Sequence, residues 1–430
     1  MASLSLPAAP PEWVDSRHAA WRLLATLLIM TLGNSAMYSV AVVLPAVQAE
    51  FNVARADASM PYTAMMLGFG VGGLLMGRLA DRFGVVLPVF IGGCAVMLGY
   101  AMAGASRNVL EFSLVHGLLL GLLGCSATFA PLMADTTQWW ARRRGIAVAV
   151  CASGNYLAGT IWPPILQHFV GEVGWRATYT GVGLVCGGAM LVLAMAMRRR
   201  PPAAVITPEL VANNRGATLA TGQNDQQKTL ASRFERPFGL PAATALLLLC
   251  VAGVACCVAM SMPQVHIVAY CTDLGYGAAR GAQMLSLMMA TGIASRLISG
   301  AICDRIGGLR TLMLGSVLQG IALLLFLPFD GLVPLFLVAG LFGLFQGGIV
   351  PSYAIIVREY FGTNGAGFRT GAVIMATMIG MALGGWMSGK VFDLTGSYHA
   401  AFINGILWNL LNIAIVLGLW WRLRSVRART

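Results

Sequence analysis

Gly77-Arg78-Leu79-Ala80-Asp81-Arg82-Phe83-Gly84 returns 223 residues later as Gly300-Ala301-Ile302-Cys303-Asp304-Arg305-Ile306-Gly307. Both copies read G-x-x-x-D-R-x-G, and both follow the second long apolar run of their half of the chain. A second echo supports the first: Pro131 with Trp139-Trp140 is matched by Pro351 with Tyr360-Phe361. The chain is therefore two related halves in the same order.

Working outward, the runs that flank these loops are too apolar for a water-soluble protein. Of 430 residues, 58% are hydrophobic and 10% are charged, against about 25% charged in an average soluble domain. So few charges cannot cover a soluble surface of this size, and the apolar content excludes disorder and collagen-like repeats. Apolar runs fall near 20–48, 61–80, 85–105, 110–138, 145–170 and 177–197, then near 238–271, 281–302, 311–328, 332–357, 370–394 and 400–421. Each is long enough to cross a bilayer at about 20 residues per crossing. The expected fold is an all-α membrane protein of twelve transmembrane helices in two six-helix, pseudo-symmetric bundles. The expected divisions are a tail at 1–18, bundles at 19–197 and 238–421, a polar central loop at 198–237 and a tail at 422–430. Residues 1–18 lack a cleavable signal pattern.

The net charge of +12 would point to nucleic acid in a soluble protein, but here it follows orientation. With the N-terminus placed inside, 22 of 28 Lys and Arg fall on inner segments, five on outer segments, and Arg296 within a run. This bias places both termini and the central loop in the cytoplasm. A bacterial inner membrane is the expected location. The nine cysteines lie in apolar runs without CxxC pairs or histidine partners, so they read as small packing residues, and no metal or cofactor is expected. No HExxH, GxSxG or P-loop is present, which argues against an enzyme. Parallel repeats of this kind accompany alternating-access transport, with the substrate held between the halves.

The paired Asp-Arg loops, the six-plus-six layout and the basic central loop resemble the major facilitator superfamily over about residues 20–421. Phe392-Asp393-Leu394-Thr395-Gly396-Ser397-Tyr398, the Trp139–Ala147 segment and the pair Pro163-Pro164, read as ending the fifth helix, resemble its monocarboxylate porter and oxalate:formate antiporter branches. The resemblance implies that Asp81, Arg82, Arg142, Asp304 and Arg305 form loops that latch an outward-facing state without touching substrate. Asp81 and Asp304 would each meet the start of the following helix.

Arg296 is the sharpest candidate. It lies eight residues before Asp304, roughly 12 Å into the membrane at about 1.5 Å per residue. A guanidinium there is costly unless it meets a partner or water, and no Asp or Glu is expected at that depth. The substrate then supplies the anion, held by two parallel hydrogen bonds. The competing reading is an ion pair inside the bundle. Porters of the resembling branch carry a substrate-binding arginine in this eighth helix and a histidine near His266. His266 otherwise reads as a packed core histidine, and Tyr353, beside Pro351, as a core aromatic or a substrate hydrogen-bond donor. Asn34 with Tyr38 on the first helix, Asn155 with Tyr156 on the fifth, and Thr128 on the fourth are further cavity candidates, or simply interhelical bonds.

Two departures matter. Animal porters of the branch carry an aspartate one turn before the arginine, where this chain has Gly292, and a first-helix lysine that is absent here. Lys390 sits near the outer end of the eleventh helix rather than in mid-membrane. One arginine fits one carboxylate. The expected function is uptake of a small organic anion, such as lactate or pyruvate, by a rocking switch. The expected partners are that anion, a co-transported proton and the lipid bilayer, with the chain a monomer that binds no nucleic acid. The alternatives are a carboxylate exchanger, an efflux permease and a non-transporting membrane receptor.

Overall fold

The computed structural model of the chain describes residues 13–140, 144–199, 236–361 and 366–427. The tail residues 1–12, most of the expected central loop, and Arg142 lie outside the described residues. Everything described is helix or short connection, and eleven helical spans are long and apolar enough to cross a membrane. In lipid each backbone N–H and C=O must be paired within the segment, and uninterrupted helices achieve this.

The first crossing is α1 (Arg17–Gly33) and α2 (Ser35–Phe51), parted at Asn34. Then come α3 (Arg55–Phe83) and α4 (Val86–Ala105). The fourth crossing is α5 (Val109–Val115), a π-helical stretch His116–Cys125, and α6 (Ala130–Trp139). It is followed by α7 (Arg144–Val173) and α8 (Trp175–Ala196). The second half contains α9 (Ala242–Asp273), α10 (Ala278–Ile306) and α11 (Gly308–Leu325). Its fourth crossing is α12 (Leu332–Gln346) and α13 (Ile349–Phe361), followed by α14 (Ala366–Thr395) and α15 (Tyr398–Arg427). The helix α7 completes twelve crossings. The fourth crossing of each half is broken at the same place, just before Pro131 in one and at Gly347-Gly348 before Pro351 in the other. Interrupted helices in corresponding positions of two repeats mark the substrate region in transporters.

One expectation fails locally. Pro163-Pro164 does not end the fifth crossing; α7 runs through both prolines to Val173. A proline removes the bond to the carbonyl four residues earlier. The carbonyl that Pro164 leaves free is that of Thr160, and the Ser286 hydroxyl on α10 donates to it. A side chain from the other half thus repairs the helix, as membrane helices allow.

The helices pack through small residues. A Cβ on Gly68 would meet the Gly117 carbonyl oxygen at 2.1 Å, and one on Gly343 the Met288 oxygen at 1.9 Å. Leu, Val and Ile side chains on the outside, such as Val185 and Val333, stand exposed, as they would against lipid. The structure is that of an integral, multi-pass membrane protein. Each G-x-x-x-D-R-x-G loop ends at a glycine with positive φ, +85° at Gly84 and +83° at Gly307, where residues with a Cβ are strained.

The two faces of the bundle differ. The face that carries the chain termini is tied by Asp15 N–H donating to Trp139 O at 3.1 Å and by Phe238 packed on Tyr360. On the opposite face, α3 and α14 touch: a Cβ on Gly389 would stand 2.9 Å from the Ala56 backbone. The two helices then splay. A Cβ on Gly70 would still meet Met375 at 2.8 Å, yet Gly73 and Gly371 have nothing within 4 Å.

Candidate substrate site

That splay opens a cavity of about 430 Å³ between the halves. It is lined from the first half by residues of α2, α3, the broken fourth crossing and α7, and from the second by α9, α10, α13 and α14. It reaches exposed Leu74 and Ile374 toward the termini face. On the other side the halves meet where buried Tyr62 of α3 packs on Gly385 of α14.

Arg296 lines the cavity from α10. Its guanidinium carbon stands 4.4 Å above the Tyr156 ring, a cation–π contact. Its Nη1 donates to Ala152 O on α7 at 2.9 Å, and its Nε to Gly347 O at 3.5 Å. The Gly347 carbonyl is the one that Pro351 deprives of its helical partner. Among the described residues no carboxylate stands within ion-pair distance of Arg296. Arg296 therefore touches both halves through carbonyls and a ring face, and its positive charge is uncompensated by protein. The Gly292 departure has a physical reason: a Cβ there would meet Tyr156 at 2.7 Å. The aromatic ring takes the space beside the arginine where the resembling porters place an acid.

Tyr38, Asn155 and Tyr156 also line the cavity. Tyr38 donates to Asn155 Oδ1 at 2.7 Å, and Asn155 Nδ2 to Asn34 Oδ1 at 3.4 Å. Asn34 Nδ2 reaches Thr128 Oγ1 at 3.3 Å, and Thr128 donates to Cys125 O at 2.8 Å. Four predicted residues are thus one hydrogen-bonded chain. Tyr38 and Asn155 form its cavity end, whereas Asn34 and Thr128 are fully buried behind them and bridge the breaks in the first and fourth crossings.

His266 and Tyr353 lie elsewhere. His266 is fully buried, with Nε2 2.8 Å from Gly385 O and Nδ1 3.3 Å from the Tyr398 hydroxyl. It faces α14 and α15 because α9 turns that side into its own half. Tyr353 donates to Asn412 Oδ1 at 3.1 Å within the second bundle. Gln264, two residues before His266 and so on another side of α9, is the residue that lines the cavity, and it donates to Gln346 at 2.9 Å. Sequence reading passed over it because an uncharged glutamine gives no signal of depth or cost.

The opposite face is held by a cluster that includes the Asp393–Tyr398 motif. Arg55 on α3 pairs with Asp273 on α9 at 3.0 Å and meets the Tyr398 hydroxyl at 2.6 Å. Asp393 on α14 accepts from the backbone N–H groups of Arg55 and Ala56, both at 2.8 Å. A carboxylate from one half thus caps a helix of the other. On the termini face, Asp81, Arg82, Asp304 and Arg305 are exposed, without an ion pair among the described residues. The start of α11, expected to meet Asp304, is instead capped by Glu359, which accepts from Gly308 N–H at 3.1–3.2 Å. Asp135 is engaged too: it holds Arg22 by two bonds of 3.0 Å.

A profile of the Major Facilitator Superfamily matches residues 24–340 and 249–430, and the chain belongs to that superfamily. Monocarboxylate transporter 13 of Bos taurus is 28% identical over 76% of this chain and 71% of its own length. Monocarboxylate transporter 11 of Mus musculus is 27% identical over 92% and 86% respectively. The uncharacterized MFS-type transporter YhjX of Escherichia coli (strain K12) is 23% identical over 85% and 86%. Among solved structures, a peptide transporter POT in complex with alafosfalin shares the fold, with a TM-score of 0.69 and 14% identity over 92% of this chain and 94% of that one. The relatives and neighbours are transporters, and so is this chain, not an enzyme.

Proposed function

We propose that this member of the superfamily carries small monocarboxylates, lactate and pyruvate among them, together with a proton, by alternating access of one site between its two halves. The observation that carries this reading is Arg296: a guanidinium at the meeting of the halves, lining a cavity, with no protein carboxylate to neutralise it. Monocarboxylate transporter is also what two of the relatives are called.

A substrate carboxylate would take the Arg296 fork by two hydrogen bonds, with Tyr38, Asn155 and Gln264 within the same wall. Binding would draw Nη1 from Ala152, loosening the tie between α10 and α7 while the anion replaces it. The halves would rock, breaking the Arg55–Asp273 and Asp393 contacts on the opposite face and closing the Gly73–Gly371 gap. Asp81 and Asp304 would latch that state. Among the described residues the cavity wall has no Asp, Glu, His or Lys, so the co-transported proton would be held outside this wall while the substrate stays an anion on Arg296. With both termini cytoplasmic, as the charge bias leads us to expect, the side open at Gly73 and Gly371 would face inward.

Uptake of labelled L-lactate into proteoliposomes, with and without an inward proton gradient, tests the reading. Acceleration by the gradient is expected. Lactate uptake driven only by preloaded carboxylate, with no response to the gradient, would replace symport by exchange. No uptake or exchange of any monocarboxylate in folded, inserted protein would overturn it.

A further inference from the structure

The wall opposite Arg296 is out of proportion to lactate. The cavity measures about 430 Å³, within the roughly 300–1,000 Å³ range of pockets that enclose drug-sized ligands. A three-carbon acid would leave most of it to water. Seven of the chain's 23 methionines line it, among them Met37, Met66, Met260 and Met375, together with Phe69 and Phe129. They come from five helices of both halves, so the apolar wall belongs to the interface itself and not to one helix. Gly70 leaves the space into which Met375 packs. Methionine is unbranched and polarizable, conforms to irregular ligands and makes favourable sulfur–aromatic contacts.

The polar groups are few and one-sided. Arg296 is the one charged side chain in the wall among the described residues, flanked by Tyr38, Asn155, Gln264 and Ser126. A second carboxylate would be pressed against thioethers, and an ammonium would find no acid; either burial is unfavourable without a partner.

We infer that the site selects monocarboxylates with an apolar body, aryl or branched alkyl, that lack both an ammonium group and a second carboxylate. This deepens the proposed function and rests on it: Arg296 takes the carboxylate and the methionines of both halves take the body. An acid that touches methionines on α3, α9 and α14 at once also draws the halves together, so the apolar body contributes to closure as well as to affinity.

Equilibrium binding of labelled phenylacetate to the purified full chain in nanodiscs, with a competition series, tests this. Phenylacetate should bind at least about tenfold tighter than L-lactate, the order expected of filling an apolar pocket. Phenylalanine, which adds an ammonium, and phenylmalonate, which adds a carboxylate, should each compete at least about tenfold more weakly than phenylacetate. Met260→Ser and Met375→Ser should weaken phenylacetate severalfold more than lactate; if either variant fails to fold, the ligand series on the unmodified chain decides alone. Lactate binding as tightly as phenylacetate, or phenylalanine competing equally well, overturns the inference while leaving the proposed function intact. Binding of no carboxylate at all overturns the proposed function itself.

Discussion

Replacing Asp393 should release the opposite face. Its two carboxylate oxygens each accept a backbone N–H of the first turn of α3, at 2.8 Å, and do so across the boundary between the halves. Loss of a helix cap costs about 1 kcal/mol, and loss of a negative charge beside a helix N-terminus about 0.3–1 kcal/mol. Asp393 is exposed, so water recovers part of this, and about 1–2 kcal/mol is a fair total. These contacts exist only while the face is closed. Asp393→Ala therefore shifts the closed-to-open equilibrium by roughly 5- to 30-fold at 1.4 kcal/mol per tenfold. The reporter is a Thr63→Cys substitution, at a position where the wild-type hydroxyl donates to Ala382 O across the closed face at 2.9 Å. Seven of the nine native cysteines are buried and the other two half-buried, so a water-soluble maleimide reports chiefly the introduced thiol. Its labelling should accelerate by that factor in Asp393→Ala, while a cysteine at Gly73, on the open side, labels more slowly. Acceleration at both positions would mean loosened folding, and no change at Thr63→Cys would refute the closing role of Asp393.

Other contacts make equally definite predictions. Arg22 and Asp135 form a two-bond ion pair with side chains 3% and 7% exposed; Arg22→Ala alone should cost about 3–5 kcal/mol by stranding a buried carboxylate, and Arg22→Met with Asp135→Leu far less, read as melting temperature in detergent. Gly343→Ala would drive a Cβ against the Met288 carbonyl, which is 1.9 Å away, and should lower the melting temperature by the equivalent of about 1–3 kcal/mol, whereas Gly73→Ala, with open space beside it, should leave it unchanged. Gly292→Ala would displace the Tyr156 ring from beneath Arg296; losing a cation–π contact of about 0.5–2 kcal/mol predicts a substrate KM raised by roughly 2- to 30-fold with little change in stability.

Depth is legible in a sequence and direction is not, and that divides what was foreseen from what was missed. The fold followed from run length and from the repeated Asp-Arg loops, because a bilayer permits few architectures for a backbone. Arg296 stood out because a charge eight residues inside an apolar run has a cost that must be met. His266 and Gln264 occupy nearly the same depth on α9, yet α9 turns the histidine toward Gly385 and the glutamine toward the cavity. Only the packing of α9 against α14 and α15 determines which of the two faces substrate. The same holds for Tyr353, which faces Asn412 and not the cavity. Arg55 counted in the sequence only as an outer positive charge, since its partners Asp273, Asp393 and Tyr398 lie more than 200 residues away in the chain. Pro163-Pro164 looked like a helix end because the carbonyl acceptor rescued by Ser286 belongs to a contact between halves that local sequence does not contain.

The most direct test of the Arg296 site is uptake of a labelled monocarboxylate by wild-type, Arg296→Lys and Arg296→Ala protein, each reconstituted at equal density with its melting temperature checked. Two hydrogen bonds to a charged group, at about 1.5–3 kcal/mol each, predict that Arg296→Ala loses at least about 100-fold in uptake efficiency. Arg296→Lys, keeping the charge and losing the fork, should fall between. Wild-type uptake by a folded, inserted Arg296→Ala protein would contradict the account.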